Sequence, residues 1–520
     1  AKAVVNETDA YFTHISGPEI MCVGPNTPVH VDGRLMPAEE LYTLLKRDAE
    51  IVQGGSLRET IKPRKQCAVK SLDPNLRITD GVITEATRLT AESFEVELDN
   101  GTRLTVSANQ PFATLDPLGH LTWTMVRDLH EGDHVAVAGG FETPITSNVE
   151  WIDKLDEEHV YATVSEAATP KDGRLKVKLK TLVELPHDEL RQAIQGIELW
   201  TNRGNERRAK PIKPVWDLSP DLGRFLGGMY AEGSIANRLD EVCYSNNDEE
   251  LKNEYAELFS TLFGIGRERI KIRRGKVYVH SYILSHVLNR VFGLPIGLKT
   301  GQLHVPPILF SAPIDCVTAF LSGLFDGDGT PHVDHDGYPS PRLFSKDETF
   351  LREVQTLLIS RVSIPNRISP WPTAYGQMHA LNIVTRHGRN KFFQSVSPSS
   401  HRFKTAELPE RSGKGVGEDV IPVAPLLKNI KEKLGVTYGK EIPENSVEPY
   451  ISGRFPLTRR KLRQIAGLLK AYGDLPEFEQ VERLLHSEIS LSKIRRITRM
   501  AKQVLYDFGV SPHSNFLAGF

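Results

Sequence analysis

The alternation of apolar and polar positions changes along the chain. From Cys22 to about residue 140, apolar and polar residues alternate over short segments such as TPVHV, RLTV and DHVAV. Dipeptides typical of turns separate these segments: Asp32-Gly33, Asn100-Gly101 and Gly132-Asp133. This pattern predicts an all-β region of many short strands. From about 216 to 405 the pattern predicts alternating helices and strands. From about 420 to 500 it predicts mostly helices, in VAPLLKNIKEKLG, RRKLRQIAGLLKAYG and SLSKIRRITRMAKQ.

Three further stretches have a different texture. Residues 1–21 predict a short helix in AKAVVNET and a strand in YFTHIS, before the break at Gly17-Pro18. Residues 141–215 are charged and weakly periodic and end in the basic segment RGNERRAKPIKP, so we predict a linker or accessory segment there. The last residues, VLYDFGVSPHSNFLAGF, return to the strand pattern.

An internal repeat lies between residues 216 and 405. LGRFLGGMYAEGS begins one copy, and AFLSGLFDGDGT begins the second roughly a hundred residues later. Each opening is followed by a strand ending in serine, by a helix with an acidic start, and by a basic strand region. That region contains RIKIRRGKVYV in one copy and HALNIVTRHGRNKFF in the other. Because several elements recur in the same order, we predict a duplicated αββα-like unit.

Each copy opens with an apolar helix that ends in an acidic residue followed by glycine. Gly227 and Gly323 at inner positions allow the two helix backbones to pack closely, which would bring Glu232 and Asp328 side by side. Two carboxylates at the negative ends of two helix dipoles repel each other. A Mg²⁺ ion reverses that interaction and prefers carboxylate, water and phosphate oxygens, so we predict that Glu232 and Asp328 are metal ligands. The alternative is that the following glycines are C-caps and the acids are solvated helix ends.

The segments FLGGMYAEG and LSGLFDGDG resemble the two LAGLIDADG (DOD-type) motifs of homing endonucleases. The first departs from the family pattern, because Tyr230 replaces the inner acid and Glu232 replaces the final aspartate. The resemblance implies an α+β unit of two repeats that cleaves double-stranded DNA with Mg²⁺ at Glu232 and Asp328. It also implies a catalytic basic residue before the second motif, for which Lys299 and His304 are the candidates.

The same resemblance places the β-sheets of the two repeats in the DNA major groove, with RIKIRRGKVYV and the TRHGRNKFF region against the DNA. The residues themselves agree, since alternating Arg and Lys on a strand suit phosphate and base-edge contacts. The alternative is a solvated edge strand that its charges protect from unwanted pairing.

Cys22 stands where the β pattern begins, in MCVGPNTPVHVDGRLMPAEEL. This stretch resembles the opening of an intein, GTRLTVSANQPFATL and LHEGDHVAV resemble later intein segments, and VLYDFGVSPHSNFLAGF resembles the penultimate one. The resemblance implies an all-β Hedgehog/intein-type splicing domain built from both ends of the chain, with the endonuclease inserted between them. A deprotonated thiol is a strong nucleophile, and attack of Cys22 on the carbonyl of Met21 gives a thioester. The alternative is that Cys22 is a small buried apolar residue.

Four other residues match intein positions. Ser107 and Gln110 stand where the family has a Thr-x-x-His cluster that polarises the scissile amide. Because the Gln110 amide donates hydrogen bonds but is no general acid, we expect a slower first step. Asp507 matches the family's acid, and His513 matches its companion histidine.

The two ends of the sequence carry further expectations. Residues 1–21 resemble a valosin-containing-type AAA ATPase just after its phosphate-binding loop, which implies an interrupted ATPase host. The sequence has no G-x-x-x-x-G-K-[ST] motif, so we expect no ATP hydrolysis. Inteins end in a His-Asn pair followed by Cys, Ser or Thr, whereas this sequence stops at Phe520. We therefore expect cleavage at Met21–Cys22 by added thiol but no complete splicing.

The segment YISGRFPLTRRKLRQIAGLLK resembles a helix-turn-helix face, and its basic residues lie together: Arg459, Arg460, Lys461 and Arg463. A DNA-binding accessory piece and a solvated amphipathic helix are both open interpretations.

Composition limits the alternatives. A chain of 520 residues is too long for one core, and 64 Lys and Arg against 66 Asp and Glu give a net charge of −2, so a DNA-binding surface must be local. No apolar run approaches the ~18 residues of a membrane-crossing helix. The four cysteines, Cys22, Cys67, Cys243 and Cys316, are far apart, which favours a reducing cytoplasm over a disulfide framework.

Together these observations predict a multidomain, monomeric intein with no membrane segment and with host-gene DNA lacking the insertion as its partner. An alternative is a splicing element whose endonuclease is an inactive, DNA-binding relic. The predicted regions are a host flank at 1–21, the splicing domain at 22–140 and 491–520, a linker at 141–215, the endonuclease at 216–410 and a helical region at 411–490.

Overall fold

A computed structural model divides the chain into two compact units. The first unit joins residues up to 138 with those from 419 onward, and the second spans residues 139–418. The structure describes residues 22–55, 57–140, 145–149, 151–155, 160–164, 176–199, 211–215, 217–333, 337–374, 376–404, 419–436 and 444–519. The helix and strand predicted within residues 1–21 lie outside these ranges. In the described part of the chain, no helix is both long and apolar enough to span a bilayer.

The strands are β1 (Pro28–Val31), β2 (Arg34–Pro37), β3 (Glu50–Gln53), β4 (Arg58–Lys62), β5 (Ala68–Leu72), β6 (Ile78–Leu98), β7 (Arg103–Ser107), β8 (Pro111–Leu115), β9 (Leu121–Met125), β10 (His134–Ala138), β11 (Val160–Val164), β12 (Lys176–Lys178), β13 (Ile194–Leu199), β14 (Gly233–Ile235), β15 (Val242–Ser245), β16 (Ile270–Arg273), β17 (Lys276–Val279), β18 (Gly329–Val333), β19 (Pro339–Ser345), β20 (Arg367–Thr373), β21 (Gly376–Asn382) and β22 (Ile489–Ser511).

The helices are α1 (Ala38–Lys46), α2 (Leu179–Leu182), α3 (His187–Ala193), α4 (Pro220–Glu232), α5 (Glu249–Phe263), α6 (Tyr282–Arg290), α7 (Ile314–Asp328), α8 (Glu348–Ser360), α9 (Arg386–Ser395), α10 (His401–Lys404), α11 (Ala424–Leu434), α12 (Glu444–Ile451), α13 (Arg459–Lys470) and α14 (Glu477–Leu485).

The first unit is built around a nine-stranded sheet. Its main path runs β10-β22-β6-β5-β1-β2, with β4 and β7 also paired to β6 and β3 paired to β4. The turn between β1 and β2 uses Asp32 and Gly33 at positive φ (48° and 73°), the backbone geometry that tight hairpins of this twist require. Alternate positions such as Val29, Val31 and Val96 point into one apolar core, as the period of two predicts.

The prediction of a helix over SLSKIRRITRMAKQ is wrong. These residues form the first half of β22, which pairs with β10 from Ile489 to Lys493 and with β6 from Ile494 onward. Ile494 is buried between exposed Lys493 and Arg495, so the apolar positions follow the two-residue period of a strand. Pairing partners from a distant part of the sequence outweigh the local preference of these residues for helix.

Helices α11 to α14 form a separate apolar cluster within the first unit. Leu427, Ile430, Ile465 and Leu469 are buried there together with Leu76 of the β region. The region predicted as helical therefore contains a small helical group with its own core.

The second unit contains the predicted duplication in an extended form. Each copy has the order helix, hairpin, helix, hairpin, helix: α4-β14-β15-α5-β16-β17-α6 and then α7-β18-β19-α8-β20-β21-α9. The two four-stranded sheets have matching orders, β14-β15-β17-β16 and β18-β19-β21-β20. Each copy thus has one more hairpin and one more helix than the predicted αββα unit.

Two local predictions for this unit need correction. The TRHGRNKFF segment is not part of a strand, because Thr385 caps helix α9 by accepting a hydrogen bond from the backbone N–H of Gly388 (3.1 Å). In the predicted linker at 141–215, the described residues include a three-stranded sheet, β12-β11-β13, with α2 and α3. Buried Ala162 and Ile197 give this sheet an apolar face.

Candidate functional sites

Helices α4 and α7 pack against each other at backbone contact. A Cβ atom placed on Gly227 would lie 2.0 Å from the carbonyl oxygen of Phe320, and one on Gly323 would lie 2.5 Å from that of Arg224. No residue other than glycine fits at such distances. The close packing predicted from these glycines is therefore confirmed.

Glu232 and Asp328 are the last residues of these two helices. Burial, and after it the negative charge of Glu232, raises the pKa of Asp328 to about 7. Burial also raises the pKa of Glu232. The two carboxylates therefore interact at the helix ends, where Asp328 is exposed and Glu232 is partly exposed.

The glycines after these acids are not left-handed C-caps. Gly233 and Gly329 have extended backbones, with φ of −82° and −91°. A Cβ atom on either would lie within 2.5 Å of a carbonyl oxygen in the last turn of its own helix. These glycines are needed because the chain leaves each helix sharply into the first strand of its sheet, which puts the acid at the turn.

Lys299 lies beside both carboxylates. Its Nζ donates hydrogen bonds to the carbonyl oxygens of Tyr230 (2.9 Å) and Ala231 (2.8 Å), where a cation favourably meets the negative end of the α4 dipole. Burial lowers the pKa of Lys299, while the charges of Asp328 and Glu232 oppose that shift. His304, the other candidate base, is exposed and pairs instead with Glu353 at 2.8 Å.

Arg402 is a residue of this site that the sequence analysis missed. Its Nη2 donates to the carbonyl oxygens of Asp326 (2.6 Å) and Gly327 (2.8 Å) at the end of α7. Its charge lowers the pKa of both Asp328 and Glu232. Arg402 thus stands to α7 as Lys299 stands to α4, and carrying the repeat through to its last elements is the signal that points to it.

The donor set at the helix ends suits a hard divalent cation. Two neighbouring carboxylates that repel each other gain from a shared Mg²⁺, which prefers oxygen ligands. In the described ranges, no group of three or more His, Cys, Asp or Glu side chains is arranged to hold a metal. Glu232 and Asp328 would therefore supply only part of a coordination shell, and the rest would come from water, backbone or a bound phosphate.

A cleft of about 520 Å³ opens beside Glu232. Basic side chains line it from two directions: Arg274 and Lys276 from the β16–β17 hairpin, and Arg402 from α10. Its lining also contains Glu232, Asp248 and Asp326, so both signs of charge meet in this cleft.

Each four-stranded sheet has one apolar and one polar face. In the first sheet, Val277 and Val279 are buried, whereas Lys271 and Tyr278 are cross-strand partners on the other face. In the second sheet, Arg342, Asn382 and Arg367 are in register across three strands. These faces thus carry basic side chains, Lys271 in the first sheet and Arg342 and Arg367 in the second, of the type that suits phosphate contacts.

Cys22 is buried between β7 and β22, since its neighbour Val23 bridges to Val106 on one side and to Tyr506 on the other. Its backbone N–H donates to Ser107 Oγ (3.2 Å), and its carbonyl accepts from the backbone N–H of Ser107 (2.9 Å). Burial raises the pKa of the Cys22 thiol; the charge of Asp507 adds to the shift, and that of Arg58 opposes it. Ser107 of β7 and Asp507 of β22 therefore both lie beside Cys22.

Asp507 itself is partly buried, and burial raises its pKa to about 7. Gln110 donates from Nε2 to the carbonyl of Pro111 (3.2 Å), and its Oε1 is buried without a hydrogen-bond partner in the described part of the chain. His513 lines a different cavity, of about 340 Å³, whose lining includes Trp123 and Arg483 but not Cys22. Of the four predicted companions, Ser107 and Asp507 interact with Cys22.

The predicted basic face of α13 is divided. Arg459 is held by Asp419 (2.5 Å) and by the carbonyl oxygens of Leu484 and Ile489. Lys461 lies over the ring of Tyr450, 4.8 Å from its centroid. Only Arg460 and Arg463 of the predicted set are fully exposed.

Residues 315–397 match the LAGLIDADG-like domain family. This match includes the second motif and confirms the resemblance for that repeat.

The chain is also similar to curated proteins and solved structures. It is 24% identical to elongation factor 2 of Methanopyrus kandleri over 96% of this chain and 41% of that protein. It is 22% identical to the reverse gyrase of Thermococcus kodakarensis over 98% of this chain and 29% of that protein. The chain thus spans less than half the length of these two relatives. Two crystal structures are similar: the TvoVMA intein (21% identity, 23% of this chain, 70% of that chain, TM-score 0.21) and I-DmoI in complex with DNA and Ca (19%, 37%, 95%, 0.25).

Proposed function

We propose that the chain is an intein that carries a site-specific, two-repeat homing endonuclease. The endonuclease cleaves double-stranded DNA at the position where the host gene lacks the insertion. The observation that supports the nuclease best is the pair Glu232 and Asp328, held at the ends of two helices in backbone contact and flanked by Lys299. Because both repeats lie in one chain, the site needs no second copy, which supports a monomer.

In this proposal each group at the helix ends has a distinct task. Glu232 and Asp328 hold a divalent metal, Mg²⁺. When bound, that ion supplies an activated water and offsets charge on the phosphodiester. Lys299 and Arg402 keep positive charge at the helix ends, where it orients a phosphate and stabilises its developing charge. The polar faces of the two sheets bind the DNA on either side.

An inactive relic is the alternative, but its two grounds are weak. Tyr230 lacks the inner acid of the motif, yet the equivalent Asp326 pairs with buried Arg224, and both of its carboxylate oxygens accept hydrogen bonds within the protein. The inner acid is therefore not a ligand that the first motif has lost. The missing basic residue is supplied by Lys299.

The splicing half rests on the surroundings of Cys22. In the proposed step, a bond forms between Cys22 Sγ and the carbonyl carbon of Met21, and the bond from that carbon to the Cys22 nitrogen breaks. The thiol proton ends on the freed nitrogen, so no co-reactant is needed. Ser107 orients the scissile amide, and Asp507, with a pKa of about 7, is placed to exchange the proton.

The relatives support an insertion. Nearly the whole chain aligns with parts of two proteins whose names denote unrelated activities, an elongation factor and a reverse gyrase. A segment common to such proteins defines neither activity, as expected for an element that moves between genes. The AAA ATPase host remains a proposal from residues 1–21 alone.

The first experiment incubates the chain with plasmid carrying the uninterrupted ATPase gene, with Mg²⁺ or with chelator. The same plasmid with the insertion in place is the DNA control, and an E232Q/D328N variant is the protein control. Cutting of only the uninterrupted plasmid, dependent on metal and lost in the variant, supports the nuclease. Salt-sensitive binding without cutting supports the relic. For splicing, dithiothreitol should release residues 1–21 from the wild type and not from C22A.

A further inference from the structure

Asp326, the inner acid of the second motif, is only 1% exposed. Removing a carboxylate from water is costly unless donors replace the lost hydration. Here Oδ2 accepts from Arg224 and from the backbone N–H and hydroxyl of Ser399 (3.0 and 3.1 Å), while Oδ1 accepts from the N–H of Ser400 (2.7 Å). Both oxygens are therefore used within the protein.

Two of these donors are backbone groups of the turn that leads into α10. Arg402 follows that turn and reaches back to α7, where it donates to the carbonyl oxygens of Asp326 and Gly327. The side chain of Asp326 thus binds the backbone that leads to Arg402, and the backbone carbonyl of Asp326 binds the Arg402 guanidinium. Arg402 follows two residues after the turn that this buried acid holds, so a short stretch of chain connects the acid to the charge beside Glu232 and Asp328.

Arg224 keeps this arrangement rigid from the other side. Its guanidinium binds Glu254 of α5 through Nε (2.7 Å) and Nη2 (3.0 Å), and Nη2 also donates to the Ser399 hydroxyl (2.6 Å). Because the planar guanidinium of Arg224 is hydrogen-bonded on several sides, Asp326, which it also binds, has little freedom to move.

The first repeat holds its base in a similar way. Tyr230 occupies the position equivalent to Asp326, and its hydroxyl donates to the carbonyl oxygen of Phe292. Phe292 belongs to the segment that leads to Lys299. The two repeats therefore have different side chains at this motif position, and in each repeat that side chain binds the stretch of chain that carries the basic residue of the site.

We propose that Asp326 is a positioning residue, which acts on DNA cleavage by fixing Arg402 beside the carboxylate pair. This inference rests on the proposed nuclease function. A purely structural role, joining α4, α5 and α7, predicts a loss of folding stability without any special dependence on Arg402.

A double-mutant cycle separates the two roles. We expect D326N to lower kcat for plasmid cleavage by about 10- to 100-fold, with KM within about threefold, because the Arg402 guanidinium is displaced while the DNA surface is intact. D326N/R402Q should cleave no more slowly than R402Q alone. Multiplying effects of the two substitutions would overturn the proposal.

Matched variants guard against misfolding. E254Q weakens the hold of α5 on Arg224 but keeps every hydrogen bond between Asp326 and the 399–400 turn, so its kcat should fall by less than that of D326N. S399A removes one hydroxyl and should lower kcat less than D326N does. A loss in E254Q equal to that in D326N would overturn the positioning role.

Amide hydrogen exchange tests the clamp independently of cutting. In the full chain, the Ser399 and Ser400 amides should exchange faster in D326N than in wild type or E254Q. Unchanged exchange in D326N overturns the proposal. A wild type that cuts no DNA but shows this pattern refutes the nuclease function while supporting the clamp.

Discussion

At the scale of single residues, Lys299 and His304 can be told apart by substitution. Lys299 contributes its charge where two carboxylates meet, whereas His304 contacts Glu353. We expect K299M to lower the cleavage rate by about 100-fold or more with DNA affinity little changed, because transition-state charge loses its counter-charge. H304Q is the matched control and should cut at the wild-type rate. Equal losses in K299M and H304Q would contradict the assignment.

Asp507 gives the first unit a pH dependence of known sign. Its folded-state pKa of about 7 lies above the usual value for aspartate, so the folded protein holds a proton that the unfolded chain releases. The contribution of Asp507 to stability is therefore fully present below the pKa of the unfolded chain and is lost as the pH rises towards 7. D507N removes this contribution.

As the pH rises from 5 to 8, we expect the free energy of unfolding of D507N, relative to that of the wild type, to increase by about 1–3 kcal/mol. Urea unfolding of both proteins at several pH values measures this difference, and the other titrating groups cancel in the comparison. If the difference in free energy of unfolding between the two proteins does not change with pH, Asp507 has an ordinary pKa in the folded state.

At the scale of elements, the contact between α4 and α7 sets the geometry of the acids. G227A places a methyl group 2.0 Å from the Phe320 carbonyl, so the helices must separate. We expect a loss of about 3 kcal/mol in stability together with loss of cleavage. G467A is the control: this glycine lies inside α13 with open space around its Cβ position and should gain about 0.5–1 kcal/mol. Thermal unfolding of the two variants should move in opposite directions.

The distinction between local motifs and long-range contacts explains how much of the site could be predicted from the sequence. Gly227, Glu232, Gly323 and Asp328 lie in local motifs whose spacing fixes their roles, so the helix contact and the pairing of the acids follow from the sequence. Arg402 can be found only by extending the repeat to its last elements, because nothing in its own segment shows that the chain returns to the end of α7. The strand character of residues 490–503 likewise depends on partners roughly 400 residues away.

At the scale of the whole molecule, the net charge of −2 means that DNA must be attracted by local surfaces. The described ranges contain two candidates: the polar faces of the two sheets in the second unit, and exposed Arg460 and Arg463 on α13 in the first. Counterion release distinguishes them, since each lost phosphate contact reduces the slope of log affinity against log salt by about 0.9.

We expect K271A/K276A to reduce that slope by about two, because both lysines lie on the sheet face proposed to bind DNA. A double variant of two exposed lysines elsewhere, K180A/K428A, should leave the slope unchanged. The R460A/R463A variant decides between the two interpretations of α13: a reduced slope supports a DNA-binding accessory piece, and an unchanged slope supports a solvated helix. Fluorescence anisotropy with a labelled duplex over a range of KCl concentrations measures all three. If K271A/K276A behaves like K180A/K428A, the sheet is not the DNA surface.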